Sequence, residues 1–262
     1  METANILRRH GLFDASVPRY TSYPPANHFI PDTGRRYQSE WLTSVEAGSE
    51  ISIYIHIPFC RRLCWFCACR TQGTSSLGPL ESYVASLVAE LTRVRALLPD
   101  DIKMSRLHLG GGTPTLLPAA LMSRLLKTVF DKFEPASSFE FSVEVDPTEA
   151  QPDTLAVLGE WNLTRASVGV QDFSEKVQEA IGRKQSFDET RTAIDRLRAL
   201  GVASTNVDLL YGLPWQTAES FQATLERVEA LDPDRLAIYG YAHVPWMSKR
   251  QILIPDHALP SP

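Results

Sequence analysis

Along this chain, strand-like runs in which apolar positions repeat or alternate are separated by segments whose apolar positions fall at helical spacing. "ISIYIHIP" (51–58) is a short β-branched run. In "ESYVASLVAELTRVRALL" (81–98), Tyr83, Val84, Leu87, Val88, Leu91, Val94 and Leu98 share one helical face. "SRLHLGGG" (105–112) reads as a strand running into a glycine turn, and "ALMSRLLKTVF" (120–130) as a helix. "SFEFSVEVDP" (138–147) alternates apolar and polar residues until a proline stops it, and "RASVGVQDF" (165–173) is the next strand. Ser186 and Glu189 have the spacing of a capping box for the helix "ETRTAIDRLRALG", with Gly201 closing it. The strand "STNVDLLYG" (204–212), the helix "TAESFQATLERVEAL" (217–231) and the strand "RLAIYGYA" (235–242) complete the series.

Six β segments separated by helices imply an α/β fold built on a parallel sheet with right-handed crossovers. The count favours a partial TIM-like (β/α)6 barrel over a doubly wound sheet. Residues 49–262 are expected to form that barrel, with 1–48 as an N-terminal arm. Neither a low-complexity linker nor a repeat of 20–50 residues interrupts it.

Composition narrows the functional classes. The 44% hydrophobic and 22% charged content of the 262 residues is that of an ordinary globular protein. A net charge of −5 without a basic stripe argues against a nucleic-acid partner. No apolar run approaches the roughly 18 residues of a membrane span, and "METANILRRHGLFDASVPRY" lacks the apolar core of a secretory signal. A cytoplasmic protein is expected, in which a disulfide scaffold is out of place.

All four cysteines, Cys60, Cys64, Cys67 and Cys69, stand within "CRRLCWFCAC" (60–69). A disulfide inside so tight a loop would be strained. Structural zinc commonly joins two cysteine pairs, and here no second pair exists and the six histidines stand apart. A zinc knuckle made by this single loop stays open as an alternative. Iron–sulfur clusters are often held by thiolates closely spaced on one loop, and three such cysteines leave one iron of a cubane for another ligand.

Each expected strand also ends in ligand-like residues: Tyr54 and His56, Gly110 to Thr113, Glu144, Gln171, Asp208, and Tyr241 to His243. In barrels, sites are built on the rim at the strand C-termini. "LGGGTPT" (109–115) lacks the Lys-Ser/Thr of a P-loop; its glycines suit close approach of backbone amides and carbonyls to a ligand with an ammonium and a carboxylate. For any one of these residues the plainer role is capping a strand or a turn.

The spacing Cys-x3-Cys-x2-Cys at Cys60, Cys64 and Cys67 matches that of the radical S-adenosylmethionine (SAM) enzymes. From "RYTSYPPA" (19–26) to "LPSP" (259–262), the chain resembles their oxygen-independent coproporphyrinogen III oxidase (coproporphyrinogen dehydrogenase) family. The resemblance passes through "YIHIPFCRRLCWFCAC", "LHLGGGTPT", "EVDPT", "VGVQDF", "STNVDLLYGLPWQT" and "YAHVP". It implies that Cys60, Cys64 and Cys67 ligate a [4Fe–4S] cluster whose open iron is chelated by SAM. Tyr54, Gly111 and Glu144 resemble contacts to that SAM. Phe66, Gly112, Thr113, Gln171, Arg183, Asp208 and Ala242 resemble the lining around a second SAM. Tyr54, His56, Glu144 and Arg183 are the residues expected nearest the chemistry, although His56 also suits a hydrogen-bonded barrel-interior histidine and Trp65 suits plain loop packing. Cys69 is left out of the ligand set.

The implied reaction converts the ring A and B propionates of coproporphyrinogen III to vinyl groups, giving protoporphyrinogen IX in haem biosynthesis, by way of a 5′-deoxyadenosyl radical. A flavodoxin or ferredoxin as electron donor and a monomeric state are further expectations. HemW-like haem-binding chaperones are the rival within the superfamily; Cys69 and "RYTSYPP" favour the dehydrogenase pattern. The family continues past the position of residue 262 with a helical lid domain. The expectation is therefore a C-terminally truncated chain that holds the cluster and cleaves SAM yet forms little product.

Overall fold

The computed structural model describes residues 2–11, 23, 25, 28–30 and 33–261. Of the "RYTSYPPA" motif at 19–26, only Tyr23 and Pro25 fall among them. Residues up to Val45, together with Ser261, form one compact unit, and Glu46–Pro260 form another. The first contains α1 (Glu2–Arg9) and α2 (Thr33–Thr43), two helices that the apolar pattern did not mark.

The larger unit runs β1 (Glu50–Ile57), the short β2 (Phe59–Cys60) and β3 (Gln72–Gly73), α3 (Gly78–Arg95), β4 (Lys103–Gly111), α4 (Ala119–Lys132), β5 (Pro135–Val145), α5 (Pro152–Glu160), β6 (Arg165–Gln171), α6 (Glu175–Ala180), α7 (Phe187–Ala199), β7 (Ser204–Tyr211), α8 (Ala218–Glu229) and β8 (Arg235–Gly240). The six long strands lie in the order β1-β4-β5-β6-β7-β8, every neighbouring pair parallel. Spatial order therefore follows chain order without reversal. A doubly wound sheet reverses direction at a switch point, so this topology is the open, barrel-like one expected from the sequence.

Alternation along each strand divides the sheet into two chemically distinct faces. One face carries Ile55, Ile57, Leu107, Leu109, Phe141, Val143, Val168, Val207 and Leu209, all buried, and belongs to the core with Val84 and Leu87 of α3, Leu125 and Leu126 of α4, Leu155 of α5 and Leu197 of α7. The other face carries Tyr54, His56, His108, Ser142, Glu144, Ser167, Asn206 and Asp208. The capping box forms: Ser186 Oγ accepts from the Glu189 N–H at 3.1 Å, and the Glu189 carboxylate accepts from the Ser186 N–H at 2.7 Å. Gly201 follows that helix at φ +87°, the left-handed turn that glycine supplies.

After β8 the described chain forms two short 3-10 turns, Lys249–Leu253 and Asp256–Ala258. They cover a small core in which Ile254 packs with Val177, Ile181 and Leu213, bordered by Trp65 and Phe66 of the cysteine loop. Leu236 and Ile238 of β8 stay exposed.

Candidate active site

The polar rim of the sheet, the glycine turn and the cysteine loop enclose a cavity of about 470 Å³. Cys60, Cys64, Cys67, Cys69, Phe66, Gly111, Gly112, Thr113, Glu144, Gln171, Arg183 and Asp208 all line it. The cysteine loop closes at its base where β2 pairs with β3: the Gln72 N–H donates to the Pro58 carbonyl at 2.8 Å and the Thr74 N–H to the Cys60 carbonyl at 3.0 Å. Trp65 is fixed by its N–H to the Ile181 carbonyl at 2.9 Å, and its indole lies 2.7 Å from where a Cβ on Gly182 (φ +64°) would stand. Trp65 is therefore loop packing.

The four thiols are free but not equivalent. Cys67 receives hydrogen bonds from the Cys69 thiol and, at 3.4 Å, from the Cys69 N–H; with the positive charges of Arg250 and Arg183 these outweigh burial and draw the Cys67 thiol down to about 6. Cys69, as donor in the same pair and partly buried, moves upward. Burial also raises Cys60. The Cys69 donors thus favour the thiolate of Cys67, the form that ligates metal. Among the described residues no three His, Cys, Asp or Glu side chains converge to hold a single ion. A cubane has no such requirement, since each thiolate ends on a different iron, and a soft all-thiolate donor set is the one iron–sulfur clusters take.

The carboxylates are held apart in character. Burial works against the charge of Glu144, yet His108 at 3.5 Å and the Gly111 N–H at 2.9 Å hold its carboxyl below the usual range. Asp208 is pushed upward by burial, against the bonds it accepts from Ser167 at 2.9 Å and Asn206 at 2.8 Å. Arg183 is buried and fully engaged at its outer nitrogens: Nη1 pairs with Asp146 at 3.0 Å and reaches Cys64 Sγ at 3.4 Å, and Nη2 donates to the Gly169 carbonyl at 2.9 Å. Its Nε is buried without a partner. Gln171, a non-glycine residue at φ +70°, turns the chain at the end of β6; such strained positions gather at functional sites.

Tyr54, His56 and Ala242 stand outside the lining of this cavity. The Arg70 carbonyl accepts a hydrogen bond from His56 Nε2 at 2.9 Å, which leaves Nδ1 to accept from the Tyr54 hydroxyl at 3.0 Å. Both ring nitrogens of His56 are thereby used. The Tyr54 ring, exposed, stacks on His108 at 5.6 Å, and the Ala242 carbonyl accepts from Gln251 at 3.2 Å. The glycine turn does not offer free amides either. The Gly111 N–H goes to Glu144, the Gly112 N–H to the Ile57 carbonyl and the Thr113 N–H to the Phe59 carbonyl, both at 2.8 Å.

Close approach, instead, explains the glycines. Gly111 (φ +113°) has the His56 ring 2.6 Å from where a Cβ would stand. At Gly112 a Cβ would lie 2.7 Å from the Phe59 carbonyl oxygen and 3.0 Å from Cys60 Sγ, and backbone cannot yield. Gly112→Ala is expected to displace Cys60 and cost roughly 1–3 kcal/mol, with lower iron content after anaerobic reconstitution. Wild-type iron in a folded Gly112→Ala protein would show that the approach is not needed.

His108, Ser142, Ser167, Asn206, Asp146 and the cavity-lining arginines Arg62, Arg165 and Arg250 were not singled out in the sequence. The signal for the first four was present as polar residues at every second position of β4 to β7.

The model of the radical SAM superfamily matches residues 54–228. The chain is 52% identical over all its 262 residues to the oxygen-independent coproporphyrinogen III oxidase of Paracoccus denitrificans, of which it covers 58%. It is 42% identical over 252 residues to that of Escherichia coli, covering 95% of this chain and 54% of the relative. The chain belongs to the radical SAM superfamily. A solved structure described as coproporphyrinogen III oxidase (HemN) from Escherichia coli, a radical SAM enzyme, superposes with a TM-score of 0.87 at 40% identity, over 93% of this chain and 56% of that one. The cofactors of the family are a [4Fe–4S] cluster and SAM, and the thiols and polar rim of this cavity fit both. This family member spans a little over half the length of the relatives it matches.

Proposed function

We propose that this chain acts in the oxygen-independent oxidative decarboxylation of the ring A and B propionates of coproporphyrinogen III to vinyl groups, towards protoporphyrinogen IX. The observation that carries this reading is the meeting, in one cavity, of Cys60, Cys64 and Cys67 with Glu144, Asp208 and Arg183, in a chain so similar to coproporphyrinogen oxidases along its whole length. Cys60, Cys64 and Cys67 hold the cluster. Glu144, kept ionised by the Gly111 N–H and His108, accepts from the ammonium of SAM. Phe66, Gly112, Thr113, Gln171, Arg183 and Asp208 form the wall on which a second SAM would rest. Bound together, cluster and SAM supply the one-electron chemistry that removes a hydrogen atom from a propionate side chain. Arg62, Arg165 and Arg250 on the same cavity give a polyanionic tetrapyrrole positive charge to meet. The electron comes from a flavodoxin- or ferredoxin-type donor, and the protein works in the cytoplasm as a monomer. Among the described residues no helix is long and apolar enough to cross a membrane.

The test is anaerobic incubation of reconstituted protein with coproporphyrinogen III, SAM and a reductant, measuring 5′-deoxyadenosine and porphyrinogen products together. Reductant-dependent 5′-deoxyadenosine accompanied by protoporphyrinogen IX supports the reading. SAM cleavage that coproporphyrinogen III does not accelerate contradicts it. Running the longer Paracoccus relative alongside also decides how much product this length of chain forms.

Cys69 is expected to support the cluster without ligating it, because a fourth thiolate would occupy the iron that SAM needs. Cys69→Ser should keep iron and sulfide but lose some decarboxylation, since a hydroxyl replaces the thiol that donates to Cys67 while the backbone N–H contact remains. Loss of the whole cluster in this variant would make Cys69 a ligand.

A further inference from the structure

The cysteine loop is gripped from a segment that carries none of its cysteines. Ser248 Oγ donates to the Cys67 carbonyl at 3.1 Å. Arg250 Nη2 donates to the Cys69 carbonyl at 3.2 Å and to Thr71 Oγ1 at 2.9 Å. Gln251, 1% exposed, donates from Nε2 to the Phe66 carbonyl at 2.8 Å and to the Ala242 carbonyl at 3.2 Å, while its Oε1 accepts from the Val244 N–H at 2.6 Å. The first half of the loop is held elsewhere, by the Trp65 N–H on Ile181 and by Arg183 on Cys64. The second half, Phe66 to Thr71, is held by Ser248, Arg250 and Gln251, with His56 on the Arg70 carbonyl as a further side-chain tie.

We propose that these three residues form a clasp that sets the pose of Cys67 and the backbone after it, with Gln251 as the central positioning residue. Gln251 spends both of its N–H donors and engages its carbonyl oxygen within the protein. Its two donations tie the loop to the chain just beyond β8, whose Ala237 and Tyr239 are themselves cavity wall. The clasp thereby fixes the distance between the thiols and that wall. Carbonyls in a loop this short have few partners within it, and an unpaired buried carbonyl is costly. A loop released from the clasp would sample poses in which Cys67 no longer meets the cluster. This role rests on the cluster reading only for its effect on iron; the grip on the loop stands without it.

The test uses Gln251→Glu, which keeps the size and the acceptor for Val244 but turns a carboxylate oxygen towards two carbonyls. Ser248→Ala is the milder second variant. Thr154→Val, which removes a buried hydroxyl bond to the Leu117 carbonyl, is the control away from the loop. In reconstituted protein, Gln251→Glu should lose iron to a chelator about 10- to 100-fold faster, the range for groups supporting a metal ligand. Its reduced-cluster electron paramagnetic resonance (EPR) signal should be broadened and respond less to SAM. Ser248→Ala should change both in the same direction, and Thr154→Val neither. In protein without a cluster, amide hydrogen exchange over 65–72 should quicken in Gln251→Glu and Ser248→Ala but not in the control. Wild-type iron release, EPR signal and exchange in folded Gln251→Glu would overturn the clasp. If Gln251→Glu does not fold, unchanged behaviour of Ser248→Ala overturns it instead. Wild-type protein that takes up no cluster would fail the cluster reading, and the exchange measurement would then decide the clasp alone.

Discussion

Cys64→Ala is expected to leave a folded protein that neither assembles a complete [4Fe–4S] cluster nor cleaves SAM. Cys64 is the buried member of the set, and its sulfur already faces the cavity beside the Arg183 guanidinium. Removing it takes away one of three thiolates, and no other cysteine can move into its place: Cys69 lies beyond Cys67, bonded to it. Groups that merely support metal ligands change affinity roughly 10–100-fold, so the loss of a ligand should exceed that. The fold should survive, because Arg183 retains Asp146 and the Gly169 carbonyl. Iron and sulfide analysis with 5′-deoxyadenosine quantification makes the comparison. A full complement of iron with normal SAM cleavage in Cys64→Ala would exclude Cys64 as a ligand. Cys60→Ala and Cys67→Ala should behave alike.

The second large effect is on stability. From the sequence, Arg183 is a residue that meets a ligand; in the structure it is also the centre of a buried ion pair. Arg183→Ala leaves Asp146 with only the more distant Arg62, at 3.8 Å, and strips the Gly169 carbonyl of its donor. Breaking a buried pair from one side costs about 3–5 kcal/mol, which for a domain of this size is a fall in Tm of very roughly 10 °C. Asp146 also accepts from the Thr148 N–H at 3.1 Å and its hydroxyl at 2.8 Å, so the turn after β5 should loosen at the same time. Urea midpoints of Arg183→Ala and Arg183→Lys check this, the lysine recovering part of the loss. An Arg183→Ala protein as stable as wild type, but impaired in SAM binding, would return the residue to a purely ligand-facing role.

The sheet was legible because its core face leaves a local signature: β-branched and other apolar residues recurring along six runs, each bounded by a glycine, proline or polar turn. Ser186 with Glu189, and Gly201, were legible for the same reason, since caps act over a few residues. The cysteine spacing is equally local. The pairings of Arg183 and Gln251 were not, because Arg183 meets Cys64 across 119 residues of sequence and Gln251 meets Phe66 across 185. A periodicity carries no trace of such pairings. The partners of His56 were equally hidden: the Arg70 carbonyl and the Tyr54 hydroxyl occupy its two ring nitrogens. Attention to strand ends also passed over His108, Ser142 and Asn206, which stand further back on the same polar face. The short α5 and α6 bury only a few residues each, too few to stand out as a helical stripe.

The arrangement of three protein thiolates and one iron left for SAM is tested most directly by EPR of the anaerobically reconstituted and reduced protein, recorded with and without SAM. A [4Fe–4S]+ signal whose g-values shift on adding SAM is the predicted result, because SAM enters the coordination of one iron. A cluster signal that SAM leaves unchanged, or protein that retains zinc and forms no cluster, would contradict it.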